Sequence, residues 1–569
     1  MVLAVFAGGY FLIDALTNRQ ANVQESAGSY PLLGEGANIA ALSWERDGAT
    51  IALRKNGDAW QVEGDAEYPL DQEAVKALVS SLAALAGNLR LEGVDAPEDY
   101  GLDAPALVAE IELADGDRRC GCPFGGKSCG TDRPGTDAMN RKKIYLDGFD
   151  WVANLLNEHS RMTPGKGNHF IVVLETAQVF PTDLISALVQ SKLEKRLPLL
   201  NGSIHRHLLH LAPYWKPGPG KAPAVTEEEL LFTSDYSAAL DRFGNTPLPP
   251  HQALALHVIR HKTGSALLFK FSHLLFDGRG AELLLEAFCP GGGELLEQSP
   301  GLSTPRLDEW EKQFSAGKQI QRRWIALRNA GPFSGRSAAE TAASACRVIA
   351  LSEAETDALR NRSDTEAGPF MMTPFLLALT ARQYNAMLSP YDRSDSSLLI
   401  PMSIDMRGQD GIPADALFFN QWSMLPIALK RSILTDPVRT VEETRRQIFT
   451  GTGERIALAY RAASRLTRIA PPFLLMKIIR RLGPSVSGSF MFSFISGSSL
   501  SEARFAGRKL SNLYHLPSMP PIAGLGVFFN MFDNRLNAVI SYRSGVFPEA
   551  DVDRFARKLE KELRGNGGE

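Results

Sequence analysis

The start of the chain lacks an apolar run long enough to cross a membrane. Met1–Ile13 is uncharged and largely apolar, but Asp14 ends it after thirteen residues, short of the ~20 that span a bilayer as a helix. No basic residue precedes the run, so it makes a poor signal peptide. It suits either the tail of a membrane helix that begins upstream or a segment that does not span, which leaves a cytoplasmic and an inner-membrane-associated placement both open. A Walker-type phosphate loop, a dinucleotide-binding glycine fingerprint and a zinc-peptidase motif are also missing, and with them the corresponding nucleotide and metallopeptidase chemistries. No repeat at solenoid periods is present. A formal net charge of −3 is too small to draw the chain toward nucleic acid or an anionic membrane as a whole.

Cysteine is scarce, with five residues. Cys120, Cys122 and Cys129 cluster in a Gly-rich segment, while Cys289 and Cys346 stand far apart. An odd number without the spacing of a small secreted domain argues against a disulfide framework. Three clustered cysteines with no histidine nearby before His159 fall short of the four ligands that structural zinc prefers. On a strand His205 and His207 share a face, with His210 close by. A solvent-facing strand explains them more simply, so no metal site is expected. What remains is a chain 44% hydrophobic and 22% charged over 569 residues, enough for two or three domains.

The most informative stretch is Phe271-Ser272-His273-Leu274-Leu275-Phe276-Asp277-Gly278. An apolar strand, Ala266–Phe271, broken only by Lys270, gives way here to a Leu-rich helix, Ala281–Phe288, with Gly278 and Gly280 supplying the turn. A strand end followed by a tight turn holds an imidazole rigidly at the mouth of a cleft, and an Asp one turn on fixes that turn by hydrogen bonds. An imidazole held this way is suited to general-base work near neutral pH.

The pattern resembles the HxxxDG signature of the chloramphenicol-acetyltransferase-like acyltransferases, a superfamily that includes condensation domains, wax ester synthases and alcohol O-acyltransferases. The order of elements over about 165–565 resembles the same two-lobed layout. Asn168–Thr176 reads as a strand and Thr182 opens a helix through Lys195. Leu197-Pro198-Leu199-Leu200-Asn201-Gly202 resembles the family's Pro-Leu-Leu turn, and His257–Phe271 reads as a hairpin through Lys262-Thr263-Gly264. Cys346–Leu351 opens a second lobe, Phe370–Phe375 starts its helix, and Ile400–Arg407 resembles the family's Pro-Val-Asp-Leu-Arg strand. Leu417–Asn420 and Leu425–Ile427 resemble the Gly-Asn strand that follows. Gly526–Tyr542 alternates, and Asp551–Leu563 is a closing helix.

The expected fold is therefore α+β or α/β, a two-lobed acyltransferase of this type (165–345 and 346–565) preceded by a small α+β domain at about 30–156. The resemblance implies that His273 is the catalytic base. It also implies that Asp277 points away from substrate and pairs with Arg407, supporting the site together with Gly278, and that Ser272 and Asn420 line the substrate tunnel. The implied reaction moves an acyl group from an acyl-CoA or acyl-carrier thioester, used as co-substrate with no further cofactor, to a hydroxyl or amine, with a lipophilic acceptor and a carrier protein as candidate partners. Two departures leave other readings open. Ser272 stands where many members carry a first histidine, and Ser493-Phe494-Ile495-Ser496-Gly497 only echoes the family's C-terminal Ser-Asn-Val-Pro-Gly-Pro stretch. A condensation-like binding module without turnover and an envelope-associated scaffold are the alternatives.

The first part of the chain reads differently. Ala49–Val62 is a hairpin turning at Asn56-Gly57, with Trp60 on the return strand. Asp71 caps a helix carrying Val75, Leu78, Val79, Leu82 and Leu85, and Val108–Leu113 is a strand. With Glu98–Pro105, this order over roughly 35–155 is similar to a bacterial envelope-associated domain of unknown function. A polar linker follows at His159–Gly167. Within the crossover 290–344, Leu307–Leu327 reads as a helix. Tyr460–Leu482 mixes Arg461, Arg465, Arg468, Lys477, Arg480 and Arg481 with apolar residues. Peripheral contact with anionic lipid and a solvated basic helix face both account for that composition.

Overall fold

In a computed structural model the chain divides into two compact units, one within residues 16–139 and one within 140–569. The structure describes, with short gaps, residues 38–64, 143–162, 167–206, 212–289, 310–329, 343–389, 396–469, 489–517 and 524–565, and isolated segments elsewhere. Met1–Ile13, the segment 98–105, Cys122, Cys129, His207 and His210 lie outside the described residues.

The smaller unit holds a five-stranded antiparallel sheet in the order Ala59–Val62, Ala49–Asn56, Ile39–Arg46, Ala109–Leu113, Arg118–Cys120. Its hairpin turns at Gly57, whose φ of 62° is the left-handed value that such a two-residue turn requires. Ile39, Leu42, Leu53, Trp60 and Leu113 bury one face of the sheet together with Val75.

The larger unit runs in chain order through helix α1 (Gly148–Met162) and strands β1 (His169–Thr176), β2 (Val225–Glu229), β3 (Leu254–His261) and β4 (Gly264–Ser272) to helix α2 (Gly278–Ala287). It continues with β5 (Ser344–Ala350), α3 (Met372–Leu388), β6 (Ser397–Asp405), β7 (Trp422–Lys430), α4 (Ile456–Ser464) and β8 (Met491–Ile495), then β9 (Asn512–Pro517), β10 (Leu525–Phe532), β11 (Arg535–Arg543) and α5 (Glu549–Leu563). Two sheets organise these elements. The first has the order β2-β3-β4-β1-β9. Its central strand β4 is buried along its whole length, which is why its sequence is an apolar run rather than an alternation. The one charge in that run, Lys270, donates to the carbonyls of Thr246 (2.7 Å) and Phe243 and lies over the Phe243 ring. The second sheet has seven strands, with β6-β8-β10-β11-β5 in sequence, β7 paired on the outer side of β6, and the short strand Pro332–Phe333 also paired with β6.

Three expectations from sequence change here. The boundary placed at 156–165 falls instead at 139/140. Helix α1 packs Phe149, Trp151, Val152 and Leu155 into the second-lobe core beside Leu376, Leu399 and Ile427. Its first residue, Gly148, sits so close to Ser464 that a Cβ there would lie 2.0 Å from the Ser464 hydroxyl. Second, the chain after 346 is not wholly second-lobe, because β9 returns to the first sheet and pairs with β1, Asn512 opposite Glu175 and Pro517 opposite Phe170. Third, the basic residues that open the segment 460–482 do not form a lipid-facing stripe. Arg461 and Arg468 are buried, and Arg461 and Arg465 pair with Asp147 at 2.7 and 3.0 Å, whereas Lys477, Arg480 and Arg481 lie outside the described residues. Among the described residues no helix is long and apolar enough to cross a membrane.

The α1 assignment carries an expected outcome. Truncating the fully buried Trp151 to Ala should destabilise the larger unit by about 3–5 kcal/mol, read as an earlier midpoint in denaturant. An unchanged midpoint would mean that α1 is not part of that core.

Candidate active site

The end of β4 delivers His273 to the wall of a cavity of about 500 Å³ between the two sheets. Other walls come from Ala153 and Leu156 of α1, Phe170 of β1, Trp422 of β7, β8 with the following Ser496-Gly497-Ser498, His515 of β9, and Phe528–Asn530 of β10. Both lobes, and the strand that crosses between them, are therefore needed to enclose it.

His273 is half-buried, its ring edge-on to Phe170 with centroids 5.2 Å apart. Its Nδ1 lies 3.0 Å from Asn420 Oδ1. The orientation of that amide is decided by its neighbours. The Trp422 indole N–H can only donate, and it points at Asn420 Oδ1 from 3.0 Å. Asn420 Nδ2 donates to the His273 carbonyl (2.9 Å) and to Asp150 Oδ1 (3.0 Å), both acceptors. Oδ1 is thus an acceptor toward the ring, Nδ1 of His273 carries the proton, and the lone pair sits on Nε2. Desolvation pushes the imidazole below its ordinary pKa, and the nearby Asp277 carboxylate only partly opposes this.

Asp277 turns away from His273. Its Oδ1 caps α2 by accepting from Gly280 N at 2.7 Å and accepts from Arg407 Nη2 at 2.7 Å, while Oδ2 accepts from Gln421 N at 2.8 Å. Arg407 in turn donates to Asp405 (2.9 Å) and to the Ala416 carbonyl (2.8 Å), so both members of the buried pair are saturated. Close approach is needed at Gly280, where a Cβ would lie 2.2 Å from the Leu417 carbonyl. At Gly278 a Cβ would meet Ile495 at 3.3 Å and the His515 ring at 3.6 Å, so the turn depends less on that glycine than its place in the motif suggests.

Neither Ser272 nor Asn420 lines the cavity, contrary to the sequence reading. The Ser272 hydroxyl accepts from Leu274 N at 3.4 Å inside the turn, and fully buried Asn420 stands behind the imidazole. Asn420 is turned there by a left-handed step at Phe419 (φ 66°), whose N–H donates to the Leu275 carbonyl at 2.6 Å and whose ring packs on Trp215. In the resemblance a glycine holds the position that Phe419 occupies, and a side chain in this region costs about 1–2 kcal/mol.

Sequence reasoning missed the carboxylates behind Asn420. Asp150, at the start of α1, accepts from both Asn420 N (2.7 Å) and Nδ2, and its Oδ2 accepts from Asp147 N at 2.9 Å. Burial, together with the adjacent Asp147 charge, raises the Asp150 carboxyl to about 7. Burial would also raise Asp147, but Arg461 and Arg465 outweigh it and hold that carboxyl at about 2. The only sequence signal was a pair of acidic residues, Asp147 and Asp150, at the start of a helix with an apolar face. At the discounted histidine cluster, His205 bonds Ser203 at 3.0 Å and stacks on Tyr214.

This geometry has counterparts among known structures. The chain aligns over 75% of its length with 96% of TRI3 trichothecene 15-O-acetyltransferase from Fusarium sporotrichioides, at 13% identity and a TM-score of 0.55. It aligns over 75% with 97% of the first condensation domain of the CDA synthetase, at 15% identity and a TM-score of 0.53. The chain has the chloramphenicol-acetyltransferase-like acyltransferase fold. The EpoB cyclization-docking bidomain from Sorangium cellulosum is similar over 91% of this chain and 96% of its own, at 12% identity and a TM-score of 0.52. Residues 419–565, which open next to Asn420 and run through α5, match the WS/DGAT C-terminal domain family. No curated protein sequence matches the chain. Within this acyltransferase fold the HxxxDG loop and the second lobe meet at Asp277 and Arg407.

Replacing Arg407 by Leu would leave the Asp277 carboxylate buried without its cation. The expected loss is about 3–5 kcal/mol of stability, measured by denaturant titration of the variant beside the unaltered chain. A loss below 1 kcal/mol would mean that the pair does not join the lobes.

Proposed function

We propose that the larger unit is an acyltransferase in which His273 Nε2 removes the proton of a hydroxyl or amine as that group attacks a thioester carbonyl. The donor is an acyl-CoA or an acyl-carrier thioester, and no further cofactor takes part. One observation carries the reading. The imidazole faces a cavity large enough for an acyl chain, and its Nδ1–H is committed to Asn420, so Nε2 is left as the base. The acyltransferase-type fold and the match over 419–565 support acyl transfer in general.

In the proposed reaction the acceptor oxygen or nitrogen bonds to the carbonyl carbon while its proton passes to Nε2. The tetrahedral intermediate then expels the thiolate as the carbon–sulfur bond breaks, and the imidazolium returns the proton to sulfur. Proton transfer of this kind contributes about 10²–10⁴-fold to rate. Holding donor and acceptor in one cavity supplies much of the remainder through proximity.

The experiment is thiol release from a panel of acyl-CoAs, each with a short alcohol, a long alcohol or an amine. His273→Ala should lower acceptor-dependent release by about 10²–10⁴-fold with little change in thermal midpoint, since no core packing is lost. Equal release by both proteins would sink the reading and favour a carrier-binding module without turnover.

The lowered imidazole pKa sets a second expectation. The neutral base persists to more acidic pH than for an ordinary histidine, so the acid limb of kcat/KM should have its midpoint below about 6.5. A midpoint at or above that value would argue against His273 as the group that titrates.

A further inference from the structure

A second imidazole faces the same cavity. His515 lies on β9, the strand that returns from the second lobe to the first sheet, and is 6% exposed. Its Nε2 is 2.8 Å from Glu282 Oε1. Glu282 is fully buried on α2, one turn into the helix that the HxxxDG loop starts, and its Oε2 takes a second contact from Arg279 at 3.2 Å. A carboxylate only accepts, so Nε2 of His515 carries a proton. Nδ1 has no hydrogen-bond partner among the described residues. It lies beside Gly278, 3.6 Å from where a Cβ on that residue would stand, and Gly278 also lines the cavity. The absence of a side chain at Gly278 therefore leaves open the space in front of this ring nitrogen.

This arrangement differs from that around His273 in a way that assigns it another task. An amide behind His273 orients the ring and selects its tautomer. A buried carboxylate behind His515 makes the ring a fixed polar anchor, able to accept through Nδ1 when neutral and to donate through it when protonated. A ligand group that both donates and accepts satisfies either form, and hydroxyls and amides do so. A ligand lacking such a group leaves the ring nitrogen buried and unpaired, which is the strongest basis for rejecting it.

Building on the acyl-transfer reading, we propose that His515, held by Glu282, is a specificity-determining residue that binds a non-reacting hydroxyl or amide of a substrate in the cavity. The group comes from one of two sources, a second hydroxyl on the acceptor or an amide of the pantetheine arm of the thioester.

Calorimetric titration of the 569-residue chain separates the sources. One arm compares 1-octanol with octanediols carrying the second hydroxyl at C2, C4 or C6, and the other uses pantetheine. The chain should prefer one diol over octanol, or bind pantetheine, with about a tenfold or greater loss of that affinity in His515→Gln. The Gln amide reaches Glu282 as Nε2 does but has nothing at Nδ1, so a purely structural role for His515 leaves this variant unaffected. His515→Asn, which keeps a polar atom near Nδ1, should retain the affinity. A His515-dependent diol preference assigns the acceptor, and His515-dependent pantetheine binding assigns the donor arm. Equal affinities in the unaltered chain and His515→Gln, or no binding preference at all, overturn the proposal. Because binding is read without turnover, His515-dependent affinities alongside His273-independent thiol release would sink only the acyl-transfer reading.

Discussion

The buried contact between Asp277 and Arg407 is the constraint on which the site depends. One carboxylate caps the helix after the HxxxDG loop, takes a guanidinium from the end of β6 and takes the backbone N–H of Gln421. The loop of the first lobe and the chain of the second are thus fastened at one point. Taking both charges out of water offsets much of their attraction, so the pair adds less net stability than its 2.7 Å distance suggests. Its effect is geometric, since any other arrangement leaves a charge buried alone. The approach of Gly280 to the Leu417 carbonyl and the bond from Phe419 N to Leu275 O follow from the same docking.

That docking sets the chemistry of His273. It brings Asn420 behind the imidazole, where a neutral amide selects the tautomer while desolvation disfavours the charged ring. The carboxylates one layer back are graded by their partners. Asp147 is neutralised by two arginines, whereas Asp150 sits against Asn420 with no cation of its own among the described residues and is pushed upward. A charge placed directly on the imidazole would favour the protonated ring, which is the wrong form for a base at rest. Interposing an amide keeps the ring aligned while the charges remain at a distance. At His515 the carboxylate is in direct contact, and the cavity therefore contains two imidazoles held by different kinds of partner.

Much of the larger unit was legible in the sequence because its signals are local. An apolar run ending in His-x-x-x-Asp-Gly reads as strand, turn and helix, and the strands and helices on either side kept their order and near bounds. The Arg407 partner was named only through a resemblance, since 130 residues separate it from Asp277. Local reading failed where an element's neighbours are distant in sequence. Helix α1 has an apolar face that suits any core, so its composition did not say which unit it joins. Arg461 and Arg465 looked like solvated charges because their counterion, Asp147, is more than 300 residues away from Arg465. Ser272 and Asn420 were placed in the tunnel through the resemblance, but the direction of a side chain depends on backbone turns such as that at Phe419.

The sequence by itself determined a His and an Asp at fixed spacing on a strand-to-helix turn, along with apolar patterns sufficient for two sheets and their covering helices. Hydrogen bonds between near neighbours and the periodicity of burial encode such features directly. Only the tertiary structure decided which ring nitrogen of His273 is bare, which carboxylates stand behind Asn420, and that β9 carries a second histidine into the cavity. These depend on contacts between elements from opposite ends of the unit, and burial and partner, not residue type, set the electrostatics of the groups they join.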